Sequence, residues 1–233
     1  MKTLGIIGGI GPESTIDYYR SLIATYRARV PDGTAPPLII NSIDNQRLLA
    51  LVGANELPQL SEWLLEEIRT LERAGADFGL LAANTPHIVF DALSHASPIP
   101  LISIVEVTRA AAERRGLRRL GLFGTRYTME GTFYPEVFAK AGLSLVVPAA
   151  ADITYIHDKY MNELLGGIFL PETRAGLLAI VDRLNETAEI DAVILGGTEL
   201  PLILREAEHN GVPFFDTTRL HVEAAVARVL EEL

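Results

Sequence analysis

Leu4-Gly5-Ile6-Ile7-Gly8-Gly9-Ile10-Gly11-Pro12 decides the fold. An apolar run that ends in glycines reads as a short buried strand. Pro12 suits the first turn of a helix, where its missing N–H has no partner to lose. Ile16, Tyr19, Leu22, Ile23 and Tyr26 then recur at helical spacing. The same strand–turn–helix form returns 116 residues later in Leu120-Gly121-Leu122-Phe123-Gly124-Thr125.

A second pair of segments repeats the relation. Gly79-Leu80-Leu81-Ala82-Ala83-Asn84-Thr85-Pro86 matches Val193-Ile194-Leu195-Gly196-Gly197-Thr198-Glu199-Leu200-Pro201, and the small residues Ala83 and Gly197 that close the two strands lie 114 apart. Near-equal offsets suggest duplication of one α/β unit. The alternative is that glycine-ended apolar strands look alike in any α/β protein.

Strands are expected at Leu4–Gly8, Leu38–Ile43, Phe78–Ala82, Leu101–Ile104, Leu120–Phe123, Leu143–Val147, Ala192–Leu195 and Pro213–Phe215. Helices fall between them, including 57–71, 153–165, 172–184, a helix after Glu199 and a last one over 217–233. Alternation of this kind predicts parallel sheets covered on both faces. The fold class expected is α/β, as two lobes with parallel sheets and an interlobe cleft lined by strand carboxyl ends. The first lobe is expected over 1–103 plus 212–233, with the strand at Pro213–Phe215 rejoining it, and the second over 104–211.

Composition narrows the function classes. The chain has 233 residues, 48% hydrophobic and 21% charged, which is ordinary for a globular protein. A net charge of −10 without a long basic run argues against nucleic acid and against an anionic membrane surface. No apolar run approaches the ~18 residues of a membrane span. The first apolar stretch stops at Gly8 and enters a turn rather than a cleavage site, so a cytoplasmic location is expected. There is no cysteine, which removes disulfides, thiolate metal sites and thiol nucleophiles together. His87, His95, His157, His209 and His221 show no metal-ligand spacing, and no metal is expected.

The candidate chemistry sits at strand ends. Gly9, Ile10 and Gly11 can cradle an anion at a helix N-terminus. A dinucleotide fingerprint would need a third glycine where Ser14 stands. Asn84 and Thr85 follow one buried strand, Thr198 and Glu199 another, and each pair can donate to a carboxylate or cap a helix. Arg47 lies just past a strand end, where a guanidinium can grip a carboxylate bidentately or lie on the surface. Asp216 can cap the last helix or face the strand ends.

Taken together, Gly8-Gly9-Ile10-Gly11-Pro12-Glu13-Ser14-Thr15, Ala83-Asn84-Thr85-Pro86-His87, Gly124-Thr125-Arg126-Tyr127-Thr128-Met129, Gly197-Thr198-Glu199-Leu200-Pro201 and Phe215-Asp216-Thr217 resemble the aspartate/glutamate racemase family in order along nearly the whole chain. The resemblance implies two similar lobes, a homodimer, and proton transfer at Cα without pyridoxal phosphate, metal or any other cofactor. It implies a small dicarboxylate or amino-acid ligand held by Gly9, Ile10, Gly11, Arg47, Asn84, Thr85, Thr125, Thr198 and Glu199. The family's two acid/base groups are cysteines, and Ala83 and Gly197 occupy their positions here. Some relatives carry a lysine in the stretch matching Leu164–Gly167, which has none here. Thr85 and Glu199 are the candidate catalytic residues beside the replaced positions. Three readings stay open: a racemase without its thiols, a lyase or decarboxylase using Glu199 or His87 as acid/base, and a non-catalytic dicarboxylate-binding protein. Ala83→Cys with Gly197→Cys is expected to restore Cα–H exchange.

Overall fold

The structure, a computed structural model, describes residues 1–31 and 35–231. In chain order the elements are β1 (Leu4–Gly8), α1 (Pro12–Arg29), β2 (Leu38–Ser42), α2 (Asn45–Gly53), α3 (Leu57–Arg73), β3 (Phe78–Leu81), α4 (Phe90–Ala96), β4 (Leu101–Ile102) and α5 (Ile104–Arg114). They continue with β5 (Arg119–Gly124), α6 (Arg126–Met129), α7 (Phe133–Ala139), β6 (Ser144–Val146), α8 (Ala150–Asn162), α9 (Pro171–Ala188), β7 (Ala192–Gly196), α10 (Leu200–Ile203), β8 (Glu208–His209), β9 (Val212–Asp216) and α11 (Thr217–Val229). The last two residues expected in the closing helix lie outside the described residues. The chain divides into two compact units, Met1–Val107 with Thr218–Leu233 and Thr108–Thr217.

The first unit carries a parallel sheet of order β2-β1-β3-β4. Side chains alternate across a strand, so β1 sends Leu4 and Ile6 to one face and Gly5 to the other. Leu4 and Ile6 pack with Tyr18 and Leu22 of α1 and Val222 and Val226 of α11. Gly5 lies under α3, where a Cβ would come within 3.0 Å of Leu71 Cδ1. With both faces covered, the strand reads as an unbroken apolar run.

The second unit repeats the arrangement with order β6-β5-β7-β9, plus β8 at the edge. Gly121 of β5 lies under Leu184 of α9 as Gly5 lies under Leu71, with a Cβ-to-Leu184 Cδ2 approach of 2.8 Å. Position by position, β5, β6, β7 and β9 take the places of β1, β2, β3 and β4.

That correspondence corrects the placement of the late strand. The strand expected at Pro213–Phe215 does not rejoin the first sheet. It runs from Val212 to Asp216 and pairs in parallel with β7, Ile194 opposite Phe215. Phe215 is buried in the second unit, and the Thr217 hydroxyl donates to Leu195 O at 2.8 Å. The division therefore falls at 107/108 and 217/218 rather than at 103/104 and 211/212. The edge is not wholly parallel either. Asn210 and Gly211, both at positive φ, turn β8 antiparallel onto β9. An Asn-Gly pair adopts such a tight hairpin turn readily. The helix after Glu199 is only the four-residue α10.

Candidate active site

At the end of β1, Gly9 has φ of +79°, and a Cβ there would lie 2.5 Å from Ile43 O. Glycine is required because the end of β2 passes so close. The Gly9 amide donates to Thr15 Oγ1 at 2.8 Å, and the Thr15 hydroxyl donates to Gly11 O at 3.1 Å. This corrects the expected role of Gly9: its N–H is engaged within the turn. Ile10 is buried, and Gly11 stands at the N-cap of α1 in extended backbone. Ser14 is fully buried, and its hydroxyl meets no partner among the described residues.

Past β3, Ala83, Asn84 and Thr85 are all buried, and Asn84 makes no side-chain cap to the turn it opens. His87 is pinned from both sides. Its Nε2 accepts the Ile104 amide at 3.2 Å, so its Nδ1 carries the proton and donates to Ala83 O at 3.0 Å. Burial, and then the nearby His221, hold the ring's pKa down to about 3. His87 is thus a neutral strut with no free nitrogen, which corrects its candidacy as an acid/base group. His221 is built alike: Nε2 donates to Ile102 O at 3.0 Å and Nδ1 accepts the Tyr18 hydroxyl at 2.9 Å. Burial lowers its pKa to about 4.

Arg47 lies exposed in the first turns of α2, its guanidinium 4.5 Å from the Trp63 ring centroid. Stacking occupies the face of the fork rather than its N–H edges.

The second unit's strand end is different in kind. Thr125 caps α6, accepting the Thr128 amide at 3.3 Å. Glu199 is 1% exposed. Its Oε2 accepts hydrogen bonds from the Tyr160 hydroxyl and, at 3.1 Å, from the Thr198 hydroxyl. Its Oε1 is buried without a partner. Burial raises the Glu199 pKa to about 7, opposed by the bonds from Tyr160 and Thr198. Burial, reinforced by the Glu199 charge, pushes the Tyr160 phenol well above its ordinary value.

Gly197 is closely approached by another side chain. A Cβ built on it would lie 2.4 Å from Tyr160 Cε2 and 2.9 Å from the Tyr160 hydroxyl oxygen. Tyr160 is itself buried, packed in the second unit's core. A cysteine at Gly197 therefore requires that ring to move, a cost that the expected double cysteine variant would carry. Sequence reading missed Tyr160 because Ile153, Ile156 and Tyr160 form one apolar helical stripe. The available signal was Gly197 itself, since a glycine at a strand end marks close approach of another group.

Among the described residues no group of three or more His, Asp or Glu side chains is placed to hold a metal ion, and no helix is long and apolar enough to cross a membrane.

A family model described as Asp/Glu/hydantoin racemase matches residues 7–225. A crystal structure from Yersinia pestis, described provisionally as an Asp/Glu racemase, is 31% identical with a TM-score of 0.88, covering 99% of this chain and 100% of its own. An aspartate racemase homologue from Pyrococcus horikoshii OT3 is 32% identical with a TM-score of 0.84 over 99% of this chain and 100% of that one. The broad specificity amino-acid racemase RacX of Bacillus subtilis (strain 168) is 23% identical over 240 residues, 97% of this chain and 98% of RacX.

Proposed function

The chain belongs to the Asp/Glu/hydantoin racemase family, and from that premise we propose that it binds a small amino dicarboxylate, aspartate or glutamate in kind, through Asn84, Thr85, Thr198 and Glu199. Arg47 takes the distal carboxylate on an N–H edge of its guanidinium. The ligand is handled without fast racemisation. Inverting Cα takes a proton carrier on each side of the carbon, because a single base returns the proton to the side it came from. The observation that carries this reading is the inequality of the two strand ends. Past β3 stand an alanine methyl and a histidine with both nitrogens engaged, whereas past β7 stands a buried carboxyl with one free oxygen.

The test is proton NMR in deuterium oxide with each enantiomer of aspartate and glutamate, beside a chiral assay and titration calorimetry. Binding with little or no antipode formed supports the reading, and rapid racemisation by this cysteine-free chain overturns it. A second reading, a lyase or decarboxylase of a carboxylated substrate, is favoured by the same Glu199, since replacing a lost group by a proton needs only one carrier. It would show as substrate loss with release of a new product in the same spectra.

A further inference from the structure

We propose that Tyr160 and Glu199 together take the place of the missing thiol in the second unit, with the Tyr160 phenol meeting the substrate Cα–H and Glu199 positioning the phenol and receiving its proton. This rests on the functional reading above and goes beyond it by assigning the proton carrier. The geometry is specific. The phenol oxygen lies 2.9 Å from the point where a cysteine Cβ would stand on Gly197. The ring fills the volume of the absent side chain, and a larger residue at 197 would displace it. Its hydroxyl is not spent on a backbone carbonyl but is given to Glu199, whose second oxygen is buried and unpartnered. A buried carboxyl left half satisfied is costly, and such an arrangement persists where function needs it. The pair's chemistry also fits. Burial and the Glu199 charge disfavour a phenolate, so Tyr160 passes a proton without keeping the negative charge, while Glu199 titrates at about 7, where it can both accept and return one.

The step balances without a further reactant. In the resting form Glu199 is ionised and Tyr160 neutral. The Cα–H bond breaks and its proton goes to the Tyr160 oxygen. The Tyr160 O–H bond breaks and that proton goes to Glu199 Oε2. The electron pair stays on the substrate, spread over Cα and its carboxylate. While the carbanion stands, the protons held by Tyr160 and Glu199 trade with water, and reversal then returns a solvent-derived proton from Tyr160 to the same side of Cα. With Ala83 at the first unit's matching position, the consequence is exchange of the Cα hydrogen with solvent and retention of configuration.

The experiment follows the Cα–H signals of L- and D-aspartate and L- and D-glutamate in deuterium oxide across pH, for the intact chain, Tyr160→Phe and Glu199→Gln, with calorimetry on the same samples and circular dichroism to confirm folding. The expected result is exchange of one enantiomer without its antipode, rising with pH through about 7. Tyr160→Phe should bind within several-fold of the intact chain and exchange about 10²–10⁴-fold more slowly. Glu199→Gln should lose the inflection near 7. Exchange in Tyr160→Phe as fast as in the intact chain overturns the assignment, as does binding by the intact chain with no exchange at all. If neither amino acid binds, the functional reading falls and the assignment falls with it.

Discussion

The two strand ends are built on one plan and finished in opposite ways. β3 and β7 hold the same place in sheets of matching order, and each leads through small residues, Ala82-Ala83 or Gly197, to two polar ones. Past β3, the buried titratable group is His87, and both its nitrogens are bonded to main chain. Past β7, it is Glu199, whose carboxyl takes two side-chain hydroxyls beside a backbone amide of its own residue and keeps one oxygen left over. A main-chain partner on each nitrogen fixes His87 in one protonation state. Hydroxyl partners rotate and can serve either state. The first arrangement makes a strut, and the second makes a group able to change protonation in place.

The largest expected effect removes the strut. His87→Ala removes the buried hydrogen bonds to Ala83 O and from the Ile104 amide and empties the space beside Phe90, against which the imidazole stacks at 4.8 Å. Two lost buried hydrogen bonds and a cavity together cost about 3–5 kcal/mol, read by urea unfolding. Glu199→Gln makes the contrast, because Gln still accepts from Tyr160 and Thr198 and carries no buried charge. At pH 8 it should be as stable as the parent or more so.

The pH dependence has opposite signs in the two units. His87 and His221 have folded pKa values below the ordinary 6.5, about 3 and about 4. Their contribution is complete above pH 6.5 and is lost as pH falls through that window toward the folded values, at up to ~1.4 kcal/mol per pH unit for each group. Glu199 has a folded pKa raised from 4.5 to about 7. Its contribution is complete below 4.5 and is lost as pH rises through about 7, with no further change above. Thermal unfolding across pH 4–9 should show the acid limb persist in Glu199→Gln while the decline between about 4.5 and 7 disappears.

Smaller effects sharpen the comparison at the two small residues. Gly197→Ala should cost about 1–3 kcal/mol by overpacking against Tyr160, and much less in a Tyr160→Ala background. Equal costs in both backgrounds would mean that the ring does not occupy the Cβ position. The least expected change is in Arg47→Ala. An exposed arginine should alter stability by no more than about 0.5 kcal/mol. The same substitution should weaken dicarboxylate binding measurably, and equal affinities would leave Arg47 a surface residue.

Much of this was legible before any coordinates. Glycine-ended apolar runs set 116 and 114 residues apart predicted two α/β units, and the motifs at their strand ends predicted the family. The errors came where local pattern and long-range packing part. Pro213–Phe215 was expected in the first lobe, although the repeat itself places a fourth strand there to match β4 in the second sheet. Asn210-Gly211 is a hairpin signal that alternation of strands and helices obscured. His87 was a candidate acid/base group because its sequence position does not show that Ile104, seventeen residues on, takes its second nitrogen. Tyr160 was invisible for the same reason, since nothing near residue 160 shows that its hydroxyl reaches a carboxylate 39 residues away.

The inequality of the strand ends has a direct spectroscopic reading. Carbon-13 NMR of protein labelled at the glutamate side-chain carboxyl follows each carboxyl through a pH titration. One resonance should titrate at about 7 and vanish in Glu199→Gln. If every glutamate titrates near the ordinary ~4.3, Glu199 is no proton carrier at neutral pH and the two strand ends are functionally alike.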